Sequence, residues 1–96
     1  MPRIVFKSAW DIELVAHGIH GVSRFNEFQG QLGISRRMLA ERLRVLVAEG
    51  IFERRQYQSR PDRYEYALTA KGRDLLPVLE AMSVWSARWR AEPDTR

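Results

Sequence analysis

The apolar residues of the chain recur at helical spacing in its first third, which predicts two helices. Over residues 8–19 they stand at Trp10, Leu14, Val15 and Ile19. A second segment over 24–32 follows Ser23, which we expect to be its N-cap, and ends before a glycine. Both segments have one apolar face, so both are expected to pack on a common core, with Trp10 among the core residues.

A third helix is predicted from Leu39, Leu43 and Leu46, which recur at i, i+4 and i+7 and should form a buried stripe. Ser35 can cap the start of this helix, and Gly50 can end it. The opposite face then carries several charged side chains, most of them basic. They are Arg36, Arg37, Glu41 and Arg44.

Residues 51–58 and 63–68 read as two strands around a polar tip at residues 59–63. By the period of two, Tyr64, Tyr66 and Leu68 share one face of the second strand. Thr69 should cap a long final helix. Pro77 lies well inside that helix, so we expect a kink there.

A helix followed by an arginine-rich hairpin is the order of a winged helix-turn-helix, a mainly α fold with a small β-wing. At 96 residues the chain is long enough for one such domain, which we assign to residues 1–96. From about residue 90 to residue 96 we expect a disordered tail.

The net charge of +4 is concentrated on the third helix and the hairpin. Residues 35–60 hold seven arginines against three glutamates, whereas residues 1–34 are balanced. A polyanion-binding surface requires this distribution, and the arginine fork suits phosphates and guanine edges. A merely solvated helix face is the alternative. Arg42 lies between the buried and exposed stripes, and its expected partners are Glu41, Glu49 or the second helix.

Other kinds of function have little support in the sequence. There is no cysteine, which excludes disulfides, thiolate zinc sites and thiol-based sensing. His17 and His20 lack a third convergent ligand, so we expect no metal and no cofactor. No paired carboxylates, phosphate loop or nucleophile elbow indicate catalysis, so no catalytic residue is assigned. Without a secretory leader or a span of about 20 apolar residues, we expect a cytoplasmic protein with no membrane partner.

Several motifs in order make the chain resemble the HxlR-type family of bacterial winged-helix transcriptional regulators, relatives of the MarR group. The motifs are RFNEF at 24–28, GIS at 33–35, MLAERLRVLVAEG at 38–50, YEYALTAKG at 64–72 and LLPVLEAMSVW at 75–85. The resemblance covers about residues 10–89. It departs from the family at Gly18, where an aliphatic residue is common, so the first helix is expected to be looser. Many members also carry an N-terminal cysteine, which this chain lacks.

The resemblance implies a homodimer that joins through terminal helices and binds double-stranded DNA with a recognition helix and a wing. Here these would be the helix at 35–49 and the hairpin at 51–68. Val78, Met82, Trp85 and Trp89 form a late apolar stripe that a second copy is expected to cover. A small-molecule effector is possible in such a family, and the sequence does not identify one.

The expected DNA-binding residues fall into three groups. The recognition-helix group is Ser35, Arg36, Arg37, Glu41 and Arg44. The wing group is Arg55, Ser59, Arg60 and Arg63, with only one of Arg54 and Arg55 able to face DNA because they alternate across a strand. Ser23 and Arg24, at the start of the second helix, are expected to meet a phosphate.

Two functions therefore remain open at the level of sequence. The first is a transcriptional regulator that binds a pseudo-palindromic operator as a homodimer. The second is a winged-helix module used only for protein–protein assembly, with a basic face that keeps it in solution. A steep loss of DNA affinity with added salt distinguishes the first from the second.

Overall fold

The structure is a computed structural model, and it describes residues 6–90. Within that range the chain forms five helices and one two-stranded antiparallel sheet. In chain order the elements are α1 Ala9–Ile19, α2 Phe25–Leu32, α3 Arg36–Ala48, β1 Phe52–Gln58, β2 Arg63–Leu68, α4 Ala70–Arg73 and α5 Leu76–Arg90. The mainly α fold with a β-wing is confirmed. Arg90 is the last described residue, so the tail expected from about residue 90 otherwise lies outside the described residues.

The predicted ends of α3 and the predicted start of α4 are confirmed by their hydrogen bonds. The Ser35 hydroxyl accepts from the backbone N–H of Met38 at 3.1 Å. The Thr69 hydroxyl accepts from the N–H of Gly72 at 3.0 Å. After α3, Gly50 has φ of 78°, a left-handed conformation that favours glycine and turns the chain into the wing.

The expected N-cap of α2 was wrong by one residue, because Arg24 and not Ser23 occupies that position. The Glu27 carboxylate accepts from the backbone N–H of Arg24 at 3.1 Å. The Ser23 hydroxyl instead donates to the Glu65 carboxylate at 3.4 Å. The backbone carbonyl of Ser23 accepts from the N–H of Tyr66 at 2.7 Å. Residues 23–24 thus extend along β2, and this pairing across the fold overrides the local capping preference of Ser23.

The core lies where α1, α2 and α3 meet the base of the wing. The predicted stripe of α3 is fully buried, and the Phe28 ring meets the Phe52 ring edge-on with centroids 6.0 Å apart. The buried apolar residues are Leu14, Val15, Phe28, Ile34, Leu39, Leu43, Leu46, Ile51, Phe52 and Leu68. Trp10 is half-buried and packs against this cluster.

α1 runs without interruption through Gly18, so the looser helix expected there is not observed. A Cβ added at Gly18 would lie 3.1 Å from the Phe52 ring and 3.2 Å from Leu68. The glycine therefore leaves space for the side chains of the wing base to pack against the helix.

The single long helix with a kink at Pro77 was also wrong. α4 ends at Arg73, residues 74–75 form a turn, and α5 begins at Leu76. Pro77 then lies in the first turn of a new helix, where its missing N–H has no intrahelical acceptor to lose. The N–H of Leu79 bonds to the carbonyl of Leu75 at 3.0 Å and opens this helix.

Candidate nucleic-acid interface

The exposed face of α3 carries the charged residues that the sequence placed there. Arg37, Glu41 and Arg44 follow one another at i, i+4 and i+7, opposite the buried leucines, and all three are exposed. Among the described residues, none of the three makes a hydrogen bond or an ion pair. This stripe is therefore available to an external ligand.

Arg36 lies to one side of that stripe and is held against α2. Its guanidinium carbon is 5.0 Å from the centre of the Phe25 ring, which is a cation–π distance. Ser35 is exposed and is already engaged in capping α3. At the start of α3, the Phe25 ring thus holds Arg36 in place beside the exposed Arg37.

Arg42 does not belong to this surface, and none of its expected partners is the observed one. Its Nε and Nη2 donate to Asp11 Oδ1 and Oδ2 at 2.8 and 3.0 Å, which ties α3 to α1. Asp11 is fully buried and also accepts from the backbone N–H of Lys7. The hydrogen bond that Arg42 donates to Asp11 raises the pKa of its guanidinium above the usual range. Local spacing could not identify this pair, because 31 residues separate its members.

The turn of the wing presents Ser59, Arg60 and Arg63, all of them exposed. Its single carboxylate, Asp62, accepts from the Gln56 side-chain amide at 3.0 Å, and the same amide donates to the Gln58 carbonyl at 3.1 Å. Neither arginine makes an ion pair with a described residue. Two positive charges, with no ion-pair partner in the described range, therefore project from a turn that the Gln56 amide holds by hydrogen bonds.

Arg54 and Arg55 lie on opposite faces of β1, as the alternation predicted, and both have partners. The Arg54 guanidinium stacks 3.8 Å from the centre of the Tyr64 ring. Arg55 approaches Glu65 at 3.5 Å and Glu53 at 3.7 Å. The charge of Arg55 is thus opposed by two carboxylates, unlike the charges at the wing turn.

A cleft between α2, α3 and the wing brings Arg24, Arg36 and Arg63 to one place. Arg24 is held there by Tyr57, whose ring centre lies 4.2 Å from the guanidinium carbon. The lining residues are Arg24, Phe25, Asn26, Glu27, Arg36, Tyr57, Asp62, Arg63 and Tyr64. The three arginines from three elements could together hold a phosphate strand.

The aromatic residues that hold these arginines were not assigned a role from sequence. Phe25, Tyr57 and Tyr64 each lie beneath a guanidinium. Arginines interleaved with tyrosines along the hairpin were the available signal. That signal does not say which pairs stack, because each of the three contacts joins two different elements.

The apolar stripe of α5 is exposed in the isolated chain. Val78, Met82, Trp85 and Trp89 are 46, 40, 66 and 59% exposed, and α5 has no buried residue. A shallow apolar groove runs along the same face, lined by Pro77, Val78, Ala81, Met82, Trp85 and Ser86. The four predicted interface residues thus lie together on one surface.

No group of three potential metal ligands occurs among the described residues. His17 and His20, which are three residues apart, are therefore not part of such a group in the described range. His17 Nδ1 lies 2.8 Å from the backbone carbonyl oxygen of Glu13. No helix within residues 6–90 has the length and apolar character needed to cross a bilayer.

Comparison with known proteins places this geometry in a family. A model described as HxlR-like helix-turn-helix matches residues 5–94. An uncharacterised HTH-type transcriptional regulator of Mycobacterium tuberculosis is 38% identical over 85 residues, which cover 88% of this chain and 54% of the relative. The chain thus spans about half the length of that relative.

Two solved structures are similar over most of their length. The redox regulator HypR in its reduced form has a TM-score of 0.83 and 40% identity, covering 91% of this chain and 87% of that one. The reduced transcriptional regulator YodB from Bacillus subtilis has a TM-score of 0.82 and 31% identity, covering 94% and 89%.

Proposed function

The chain belongs to the HxlR-like helix-turn-helix family, and on this premise we propose that it is a regulator of transcription that binds double-stranded DNA sequence-specifically. Its relatives are named as transcriptional regulators, which supports a binding function without catalysis and a site of action on the chromosome, in the cytoplasm. α3 is the proposed recognition helix, and β1, β2 and their turn are the proposed wing.

The observation that carries this proposal is the positive charge concentrated on α3 and the wing. Arg37, Arg44, Arg60 and Arg63 are exposed and have no ion-pair partner among the described residues. Surface ion pairs contribute little, so unpaired charge alone is common on a solvated face. The concentration of one sign of charge on α3 and the hairpin, seven arginines against three glutamates over residues 35–60, is what favours a polyanionic ligand. Unpaired arginines on a helix that fits the major groove are suited to base edges and phosphates.

Within this arrangement the proposed contacts divide by chemistry. Arg37, at the start of α3, would reach a base edge, because the first turns of a recognition helix enter the groove. Arg24 and Ser23, with Arg36 beside them in the cleft, would contact backbone phosphate, and so would the wing residues Ser59, Arg60 and Arg63. Arg55 would contribute a longer-range attraction, reduced by the two carboxylates near it.

We further propose that two copies bind a pseudo-palindromic operator. A two-fold dimer through α5 would present two recognition helices to successive major grooves, about 34 Å apart along the duplex. The proposal requires the operator to consist of two inverted half-sites about one helical turn apart.

The test is a binding-site selection from a randomised duplex library, followed by titrations of the enriched site at several salt concentrations. We expect an inverted repeat and an affinity that falls steeply with salt. Arg37→Ala should weaken binding to the selected site by roughly 1–3 kcal/mol and relax the preference at one position of each half-site. A library that enriches no motif, with salt-insensitive binding, would favour the assembly module instead.

A further inference from the structure

A carboxylate stands in the middle of the basic face of α3. Glu41 is exposed and lies one helical turn after Arg37 and one turn before Arg44. It forms no ion pair or hydrogen bond with either arginine or with any other residue in the described range. Its charge acts within the protein on Arg42, where it is the smallest of the influences that raise the pKa of that guanidinium.

This position is unfavourable for a helix that meets only phosphates. Each phosphate of the duplex is negative, so a free carboxylate facing the backbone would be repelled. Glu41 lies opposite the buried stripe of Leu39, Leu43 and Leu46, which is the side that projects farthest from the protein. In a recognition helix that side faces the floor of the major groove, where base edges replace phosphates.

Base edges differ in what they offer to a carboxylate, which can only accept hydrogen bonds when ionised. Guanine presents two acceptors in the major groove, and thymine presents an acceptor and a methyl group. Adenine has an amino donor, but its N7 acceptor lies beside it. Cytosine alone presents its N4 amino group with no adjacent acceptor on the same base.

We propose that Glu41 is a specificity-determining residue that accepts a hydrogen bond from the N4 amino group of a cytosine in each half-site. The inference rests on the proposed function, and it adds that Glu41 recognises cytosine. The repulsion between Glu41 and phosphate serves the same end, because it penalises every register in which the carboxylate meets the backbone instead of a cytosine.

The experiment is a parallel site selection with the unsubstituted protein, Glu41→Gln, Glu41→Ala and the control Glu80→Gln. Glu80 is also an exposed helical glutamate, but it lies on α5. Its substitution therefore makes the same change in net charge at a position outside α3. Glu41 is exposed and has no ion-pair partner within residues 6–90, so its variants should fold like the unsubstituted protein. Thermal unfolding of each variant checks this.

We expect the unsubstituted protein to prefer cytosine at one position of each half-site by about tenfold. Glu41→Gln should change that preference to adenine, whose N6 and N7 match the glutamine amide. Glu41→Ala should remove the preference and strengthen binding to unrelated duplexes by severalfold. Glu80→Gln should leave the selected motif unchanged.

Two results would overturn the inference, and they are distinguishable from failure of the function itself. If all four proteins select the same motif, Glu41 does not read a base. If Glu41→Gln weakens the preference for that C·G pair without gaining A·T, a neighbouring arginine reads the guanine of the pair and Glu41 only positions that arginine. Failure of the unsubstituted protein to select any motif would refute the regulatory function, and this inference with it.

Discussion

Asp11 is the one fully buried charged side chain among the described residues, and its ion pair with Arg42 joins α1 to the proposed recognition helix. A buried carboxylate is tolerated only when it is paired and hydrogen-bonded. Here it accepts two bonds from Arg42 and one from the N–H of Lys7. The pair therefore sets the orientation of α3 relative to α1, and with it the presentation of the arginine stripe.

Replacing either member should destabilise the fold, because the remaining charge loses its partner in a site that excludes most water. We expect Asp11→Ala and Arg42→Ala each to lower the free energy of unfolding by about 3 kcal/mol. The double variant should lose less than the sum of the two. Denaturant unfolding of the four proteins measures this coupling, with the exposed Glu13→Ala as a near-neutral control. Additive losses would contradict the assigned role of the pair.

The pH dependence of this contribution follows from the raised pKa of Arg42. A group whose pKa is raised by folding stabilises the protein fully below its unfolded pKa, and the contribution is lost only as pH rises through the folded value. Since both values exceed the working range, Arg42 should cause no alkaline loss of stability between about pH 6 and pH 9.

Gly72 is buried in α4 because the backbone of residue 51 passes directly over it. A Cβ at this position would overlap the Ile51 carbonyl oxygen and lie 2.9 Å from Leu68. That carbonyl also accepts from the N–H of Thr69 at 3.0 Å, so it cannot move without breaking a bond. The close approach requires the absence of a side chain.

Gly72→Ala should therefore lower the free energy of unfolding by roughly 1–3 kcal/mol. Gly30→Ala is the matched control. Gly30 lies inside α2 with no atom within 4 Å of an added Cβ, so its substitution should stabilise the helix by about 0.5–1 kcal/mol. Equal effects of the two substitutions on the denaturation midpoint would be inconsistent with the close approach at Gly72.

At the scale of elements, the wing is attached to the helices at its base and free at its turn. β1 pairs with β2 from Phe52 opposite Leu68 to Gln58 opposite Arg63, with a shift in register between Gln56 and Gln58. Residues 23–24 pair with the other edge of β2. The base is thereby held to the start of α2, while Arg60 and Arg63 at the turn make no ion pair with the described part of the chain.

Removing Arg60 and Arg63 together should weaken binding to all duplexes alike, since the turn is proposed to contact phosphates and not bases. The slope of log affinity against log salt should fall by about one unit for each phosphate that the variant no longer neutralises. Arg73→Ala removes one charge at the end of α4 and should leave the slope unchanged. An unaltered slope in the double wing variant would exclude contact between the wing turn and DNA.

Elements with strong local signals were predictable almost to the residue. α3 has a three-leucine stripe with a serine cap and a closing glycine, and the wing has two alternating runs around a polar turn. These signals depend on neighbours within a few positions. Two predictions were wrong: the N-cap at Ser23 and the single long helix kinked at Pro77. Pairing of residues 23–24 with β2 decides the first, and in place of the single helix α4 ends at Arg73 and α5 begins at Leu76.

At the scale of the whole molecule, α5 is the helix whose apolar face is left exposed to solvent in the isolated chain. Its apolar stripe holds two tryptophans that are more than half exposed. Aromatic residues of this size are enriched at the centres of interfaces, where they contribute most of the binding energy. A second copy of α5 packed against the first would remove this stripe from water.

We expect sedimentation at micromolar concentration to show a dimer. Trp85→Ala should weaken dimerisation by roughly 2 kcal/mol, and DNA binding should weaken with it. Met82→Ala should act in the same direction, whereas Met38→Ala should leave sedimentation unchanged. Met38 and Met82 are each 40% exposed, so they differ in location and not in exposure. A monomer at micromolar concentration would contradict the proposed two-fold arrangement.

The sequence alone determined the order and type of the main elements, the buried stripe of α3 and the concentration of positive charge on α3 and the hairpin. These properties follow from residue spacing and composition, which act over short distances along the chain. The tertiary structure decided which charges are available. It paired Arg42 with Asp11, placed Arg55 near two carboxylates and stacked Arg24 on Tyr57. Within residues 6–90 it left Arg37, Glu41 and Arg44 without an ion-pair partner. Such partners are distant in sequence and meet only when the helices and the wing close around a common core.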